Sequence, residues 1–377
     1  MTRSVDVAVI GLGAAGSATA LSLARRGLRV AGFDRHTPPH PWGSTHGRSR
    51  VIREAYYESP VYVPLVQRAR DLWLQLERDS GRPLLRVTGG LMLGPPDGSL
   101  IAGSRHSAEI HGLPFECLEG SELRRRFPIF RPGPDTVGLY EPRAGFLDPE
   151  AAVEAALTLA RAAGAELWFE TLVRGWETRG DGLLLTTSAG PIHAGRAVLA
   201  VGPWLGEWPP HQKRPPEIER QVMLWFTPCA NRSQFSAEVA PVFIWEWSRG
   251  RLFYGIPDHG TGFKVARHHE GVLTAPDTVD RTVGEVEVAE LRELLARCIP
   301  DANGSLRESA VCLYTNTPDR HFTVGLHPAE PRVVLLSPCS GHGFKFASVL
   351  GEVAADLATG VTPGFDLAAF DPRRAMA

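Results

Sequence analysis

Cysteine is scarce and scattered: the 377-residue chain carries five, Cys117, Cys229, Cys298, Cys312 and Cys339. Their number is odd, and no C-x-x-C pair or Cys/His spacing of the zinc-binding kind occurs. That excludes a disulfide framework and a metal site as organising principles, and it points to a reducing compartment. Excess charge of either sign is also missing, with 40 basic against 42 acidic residues and a formal net charge of -2. There is thus no electrostatic case for nucleic acid or an anionic membrane as partner. No uncharged apolar stretch approaches the length of a membrane span. The first expected strand begins within a few residues of Met1, which leaves no room for a cleavable leader. Internal repeats and low-complexity tracts are absent. Soluble cytoplasmic chemistry is therefore the expectation. At 43% hydrophobic and 22% charged residues, the chain is globular material for two domains or one large elaborated one.

What is present begins with one complete unit, Val5 to Asp34. Val5, Val7, Ala8, Val9 and Ile10 form an apolar run without polar alternation, as expected of a strand buried on both faces of a parallel sheet. Gly11, Gly13 and Gly16 follow at G-x-G-x-x-G spacing. The first allows a tight turn, the second lets a pyrophosphate approach the backbone, and the third lets helix pack closely on strand. Ala14 to Arg26 supplies a helix whose N-terminal amides can face that pyrophosphate. A second apolar run, Val30 to Phe33, ends on Asp34, where an acidic side chain would meet the ribose hydroxyls. Strand, turn, helix, strand and acid in that order predict a site for the ADP half of FAD or NAD(P).

After Asp34 comes a long loop rich in Pro, Gly, Ser and His, suited to wrapping an anionic or polar ligand. An amphipathic helix is expected over 63–78, with Leu65, Ala69, Leu72, Trp73 and Leu76 as its apolar stripe. Residues 84–138 shift to short strand-like pieces, turns and a Pro-rich segment, which reads as an excursion into a second domain. A helix over 151–163, a strand in AELWFE, a hairpin in VRGWETRGDGLLLTTSAG and a buried strand in RAVLAVGPWL, running into Gly202, return the chain to the nucleotide-binding sheet. Residues 220–267 hold most of the aromatic density, and VFIWEW and RLFYGI alternate as antiparallel strands joined by a turn at 248–250. Those aromatics can be ordinary core or ligand wall. A helix over 286–298, strands in VCLYT and RVVLLSP, the segment CSGHGFKF and a helix over 347–359 complete the chain. Three visits to one sheet favour a flavoprotein over a simple NAD dehydrogenase.

Four separated blocks carry a family likeness: DVAVIGLGAAGSATALSLARRG, PPHPWGSTHGRSRVIREAY, YGIPDHGTGFKVARHH, and AVCLYTNTPDRHFTVGLHPAE with SGHGFKFASVLGEVAADLATG. Together they resemble the flavoprotein amine oxidases of the monomeric sarcosine oxidase and N-methyltryptophan oxidase type, over nearly the whole chain. The resemblance implies an α/β fold with a Rossmann-type FAD-binding domain (1–83, 145–215 and 312–377). Interleaved with it is a second α+β substrate domain (84–144 and 216–311) built on a largely antiparallel sheet. It implies FAD bound covalently through Cys312, a strand cysteine that read alone would be a small buried hydrophobe. Cofactor contacts are expected from Gly11, Gly13, Gly16, Asp34, Arg35, Ser44, Thr45, Arg50, Val173, Gly202, Trp204, Gly341, His342, Gly343 and Lys345.

By the same resemblance, Lys264 lies over the flavin and activates oxygen. The physical need is a fixed positive charge beside developing superoxide. His268, Arg50 and Tyr254 match active-site positions, and Arg53 and Lys345 match the pair that grips the substrate carboxylate, a planar fork plus a point charge. Tyr314 and His342 match further residues around the substrate. The implied reaction oxidises the C–N bond of a secondary N-methyl amino acid such as sarcosine to an imine and reduces O2 to hydrogen peroxide, releasing formaldehyde. A larger N-methyl amino acid, a cyclic one such as proline or pipecolate, and a flavin dehydrogenase with another acceptor stand as alternatives. No nucleic-acid or membrane partner is expected, and the family favours a monomer. The chain departs from the family at Cys339, at Glu54 and Tyr57 in the entrance loop, and in the hairpin EWSRGRLFYG, which is expected to bring Trp245 and Trp247 near the pocket.

Overall fold

The computed structural model describes residues 3–208 and 215–374. The chain opens with β1 (Arg3–Ile10), α1 (Ala14–Arg25), β2 (Val30–Phe33), β3 (Arg50–Ile52), α2 (Val63–Ser80), β4 (Leu85–Val87), β5 (Gly90–Gly94) and α3 (Ser99–His111). It continues through β6 (Glu116–Glu119), α4 (Gly120–Arg126), β7 (Val137–Glu141), β8 (Gly145–Leu147), α5 (Pro149–Ala162), β9 (Glu166–Trp168), β10 (Val173–Arg179), β11 (Gly182–Thr187) and β12 (Gly190–Leu199). The last part comprises β13 (Glu217–Thr227), β14 (Val242–Ser248), β15 (Arg251–Ile256), β16 (Phe263–His268), β17 (Leu273–Thr274), α6 (Glu285–Cys298), β18 (Ser305–Asn316), β19 (Thr323–His327), β20 (Glu330–Ser337) and α7 (Ala347–Thr359). No described helix is long and apolar enough to cross a membrane.

The first sheet has eight strands in the order β10-β11-β12-β1-β2-β9, with β20 joined to the end of β12 and β19 outside it. Its central pairs, β12 with β1, β1 with β2, β2 with β9 and β12 with β20, are parallel. The apolar run in β1 explains its central place: Val7 and Val9 pack under α1, α5 and α7, while Val5, Ala8 and Ile10 pack on the opposite face. Helix α1 starts at Gly13 without a side-chain cap. It sits so close to the turn that a Cβ on Gly16 would lie 1.8 Å from the Gly11 carbonyl oxygen.

The second sheet has nine strands in the order β17-β13-β16-β15-β14-β5-β7-β6, with β18 on the other side of β13. All its pairs are antiparallel except β14 with β5. A third, small sheet has the order β3-β8-β4. The three visits to the first sheet and the largely antiparallel second sheet agree with the sequence reading. The division expected at 311/312, however, falls inside β18, which pairs with β13 from Ser305 to Asn316.

Strand alternation decides what each face of the second sheet does. One face is an apolar core of Leu224, Phe226, Phe243, Trp245, Phe253, Phe263 and Val265 under Leu291, Leu294 and Leu295 of α6. The other face, with Met223, Trp225, Ala266, Cys312 and Tyr254, turns to the first sheet. The expectation for Trp245 and Trp247 is therefore corrected: both pack with the helix-covered core, and Ile244 and Tyr254 are the hairpin residues that face the cavity. Helix α3, within the stretch read as strands and turns, is a second correction. Its buried Leu100, Ile101, Ser104, Ser107 and Ala108 follow helical spacing. The Glu246 carboxylate accepts from the Leu100 amide at 3.1 Å, satisfying a first-turn donor from another element.

Gly16→Ala tests the turn directly. The added methyl overlaps backbone, so the variant is expected to lose about 1–3 kcal/mol of stability, read as a lower denaturant midpoint. An unchanged midpoint would show that the helix can back away from the turn at no cost.

Candidate active site

A cavity of about 470 Å³ runs from the glycine turn of the first sheet to the inner face of the second. At its far end it is lined by Gly11, Gly13, Asp34, Arg35, Val173, Gly202 and Trp204, with Ser44 and Thr45 along its middle. At its near end stand Arg50, Arg53, Tyr254, His268, Cys312, Tyr314, Gly341, His342, Gly343 and Lys345. Of the cofactor, catalytic and substrate-binding residues expected from the sequence, two are not part of the lining. Gly16 is packed against the turn behind it, and Lys264 is fully buried behind the wall.

The lining fits FAD. The uncapped first turn of α1 faces the cavity beside Thr45, a suitable seat for a pyrophosphate. Asp34 is fixed by the amides of Leu12 at 2.8 Å and His36 at 2.9 Å, which holds its carboxylate at the end of β2. The Thr315 hydroxyl, also in the lining, is buried without a protein partner. At the near end, a Cβ on Gly341 would meet the Tyr314 ring at 2.5 Å, so the glycine lets that ring and the backbone share one wall.

Arg53 and Lys345 are both buried, at 3% and 6% exposure. The Arg53 guanidinium donates to Glu58 at 2.6 Å and to the Ala55 carbonyl at 2.9 Å. It lies over the rings of Tyr56 and Tyr57, 4.2 and 4.8 Å from their centroids. Burial opposes the charge on Glu58, but Arg53, with Lys345 adding to it, outweighs burial and holds this carboxyl below its ordinary range. Lys345 Nζ donates to the His342 carbonyl at 2.7 Å and to the Tyr56 hydroxyl at 3.4 Å. Burial, with Arg53 adding to it, brings its pKa down to about 7. His342 is neutral, burial pushing it down to about 3. Its Nε2 faces the Arg320 carbonyl at 3.2 Å and its Nδ1 the Tyr56 hydroxyl at 2.6 Å, which assigns the ring proton to Nε2.

The loop carrying Arg53 is pinned from below. Glu141 accepts from the amides of Glu54 at 2.6 Å and Ala55 at 3.0 Å, and burial raises its pKa to about 7. Glu54, expected at the entrance, instead turns away to Arg143 at 3.1 Å. Sequence reasoning missed Glu58, Tyr56 and Glu141. Glu58 carried a signal, an acid five residues after Arg53 in a basic loop; Glu141 carried none.

Around Cys312 the arrangement is compact. Arg50 Nη2 lies 3.5 Å from its Sγ and also donates to the Ser44 carbonyl at 2.9 Å. Lys264 Nζ donates to the carbonyls of Gly47 at 2.8 Å and Ser49 at 2.9 Å and sits 5.1 Å from the Trp225 ring centroid. Burial, then Arg50, push its pKa well below the usual lysine value. The ammonium thus steadies the loop that carries Arg50. His268 Nδ1 and the Tyr314 hydroxyl are 3.2 Å apart, and burial holds this imidazole neutral. Tyr254 is pushed up by burial to about 12.

A family model described as FAD dependent oxidoreductase matches residues 6–357. Among curated relatives, a monomeric sarcosine oxidase of Streptomyces avermitilis is 44% identical, covering 99% of this chain and 98% of its own length. An N-methyl-L-tryptophan oxidase of Salmonella agona is 36% identical with 97% of each chain covered. Among solved structures, the open form of NikD, an unusual amino acid oxidase essential for nikkomycin biosynthesis, superposes with a TM-score of 0.84 at 26% identity over 100% of both chains.

The Lys345 shift has a sign that can be measured. A base whose folded pKa is depressed to about 7 is charged below that pH and neutral above it, while the unfolded chain keeps its proton, so its contribution to stability rises with pH from there towards 10.5. A bound carboxylate favours the charged form, so the affinity of the FAD-loaded protein for acetate should fall as pH rises through about 7. Lys345→Met should flatten that profile. A slope that persists in the variant would transfer it to Glu141, which titrates in the same range.

Proposed function

Because the chain belongs to the FAD-dependent oxidoreductase family, we propose that it is an oxidase of secondary amino acids, with N-methyl amino acids such as sarcosine as its substrates. The observation that carries this reading is the pair of buried cations, Arg53 and Lys345, in the same cavity that the glycine turn and Cys312 line. The relatives named for sarcosine and N-methyl-L-tryptophan oxidation support it. FAD, when bound, supplies the two-electron acceptor that O2 later reoxidises.

The protein's own part is positional and electrostatic. Arg53 presents a planar fork and Lys345 a point charge to the substrate carboxylate, fixing the carbon next to nitrogen in one orientation. Glu58, which holds Arg53 beforehand, keeps that fork from collapsing onto other acceptors. The amine reacts as its neutral form, and the buried His268 beside Tyr314, held neutral, sets no competing positive charge next to it. Cys312, with Arg50 against its sulfur, is the residue proposed to hold the cofactor by a thioether. Arg50 and Lys264 supply the positive charge proposed to favour reduction of O2. Water hydrolyses the imine, so an N-methyl substrate with O2 and H2O gives the primary amino acid, formaldehyde and hydrogen peroxide. The two interleaved units remain our division of the chain, with the last crossing placed after Asn316, and a monomer is the proposed state.

Two variants test this assignment. Lys264→Met should slow reoxidation of the reduced protein by O2 far more than its reduction by sarcosine in stopped-flow traces; equal slowing of both would remove the oxygen role. Cys312→Ala should release its FAD on acid precipitation while the wild type keeps a yellow pellet, and a colourless wild-type pellet would rule out the tether.

A further inference from the structure

Beside the main cavity lies a second chamber of about 560 Å³ that shares Tyr57, Glu58, His268 and His342 with it. These four residues line both cavities, so the chamber lies next to the end of the main cavity that holds the carboxylate clamp. Sarcosine has no side chain and leaves such a space empty. The wall is built against backbone preference. Of the seven non-glycine residues at positive φ among the described residues, four line this chamber: His269 (66°), Glu270 (68°), Arg320 (59°) and Ser340 (61°). Left-handed conformations of this kind persist only where the surrounding structure enforces them, and they cluster at ligand sites.

The chemistry of the wall selects an occupant. Leu252 is its single aliphatic side chain and Tyr57 its single aromatic one apart from histidines, which is poor accommodation for an indole or an alkyl group. Its three carboxylates are each already paired: Glu58 with Arg53 at 2.6 Å, Glu270 with Arg251 at 2.6 Å and Asp319 with Arg374 at 2.7 Å. Arg320, an exposed residue of the lining, has no carboxylate within ion-pair distance among the described residues, so its guanidinium is a solvent-facing charge of the wall with no ion-pair partner. Its backbone is tied to the clamp, because its carbonyl accepts from His342 Nε2, whose Nδ1 meets the Tyr56 hydroxyl contacted by Lys345.

We propose that this outer chamber is the side-chain subsite and that it takes an anionic group, making the preferred substrate an N-methyl dicarboxylic amino acid of the N-methylglutamate or N-methylaspartate kind. The proposal rests on the reading of the main cavity as an N-methyl amino acid oxidase. The α-carboxylate sits on Arg53 and Lys345, and the side-chain carboxylate reaches Arg320 in the outer chamber.

The test uses the FAD-loaded protein. First, flavin bleaching under argon is timed with sarcosine, N-methylalanine, N-methylglutamate and N-methyltryptophan. Second, the non-oxidisable carboxylates glutarate and butyrate are titrated by their perturbation of the flavin absorbance. Expected are a preference for N-methylglutamate over N-methylalanine and tighter binding of glutarate than butyrate, each reduced about tenfold in Arg320→Gln. Ser99→Trp, which narrows the chamber from the opposite wall, should reduce both in the same way. If sarcosine bleaches the flavin but the acidic side chain brings no advantage, or Arg320→Gln leaves both ratios as they were, the subsite is overturned while the oxidase reading stands. If no N-methyl amino acid bleaches the flavin, the oxidase reading fails and glutarate decides the subsite alone: a preference over butyrate lost in Arg320→Gln supports it, and equal binding in wild type and variant overturns it.

Discussion

Buried positive charge that outnumbers the carboxylates beside it governs this molecule. Arg53, Lys264 and Lys345 are each exposed by 6% or less, and Arg50 stands among them against Cys312. Ionised groups out of water are tolerated only when paired or hydrogen-bonded. The protein offers one carboxylate to Arg53, two carbonyls to Lys264, and a carbonyl with a phenol to Lys345. Lys345 answers by a pKa brought down to about 7, and burial pushes that of Lys264 well below the usual lysine value. A region with more cations than anions suits an anion, and a substrate carboxylate is the one we propose for it.

The fold delivers these groups by alternation. On β16, Phe263 and Val265 point into the apolar core while Lys264 points the other way. On β15 and β18, Tyr254 and Cys312 share the inner face. A one-residue slip of any of these strands would bury the chemistry in the core and expose core residues to the cavity. The packing of Phe243, Trp245 and Phe253 under α6 is therefore part of the site, since it fixes the register that aims the polar residues inward.

Much of this was legible in the chain, and for identifiable reasons. The strand, glycine turn and helix at the start are local, so spacing alone places them. The motifs around Arg50, Arg53, Lys264 and Lys345 point to one chemistry by family resemblance; Arg50, Arg53 and Lys345 line one end of the cavity, and Lys264 lies behind its wall. Trp245 and Trp247 were misplaced because alternation tells which residues share a face but not which face is the core. Helix α3 was missed although Leu100, Ile101, Ser104 and Ala108 carry its spacing; a turn-rich approach through Pro95 and Gly98 masked it. Glu141 could not be found, because its partners Glu54 and Ala55 lie 87 and 86 residues away in sequence. Contacts between a strand end and a distant loop are set by tertiary structure alone.

The most direct measurement compares two unreactive ligands of the same shape, anionic acetate and neutral acetamide, titrated into the FAD-loaded protein while the flavin spectrum and the thermal midpoint are followed. If the buried cations exist to receive a carboxylate, acetate perturbs the spectrum saturably and raises the midpoint, and acetamide does neither at the same concentrations. Equal responses to the two, or none to acetate, would contradict the account.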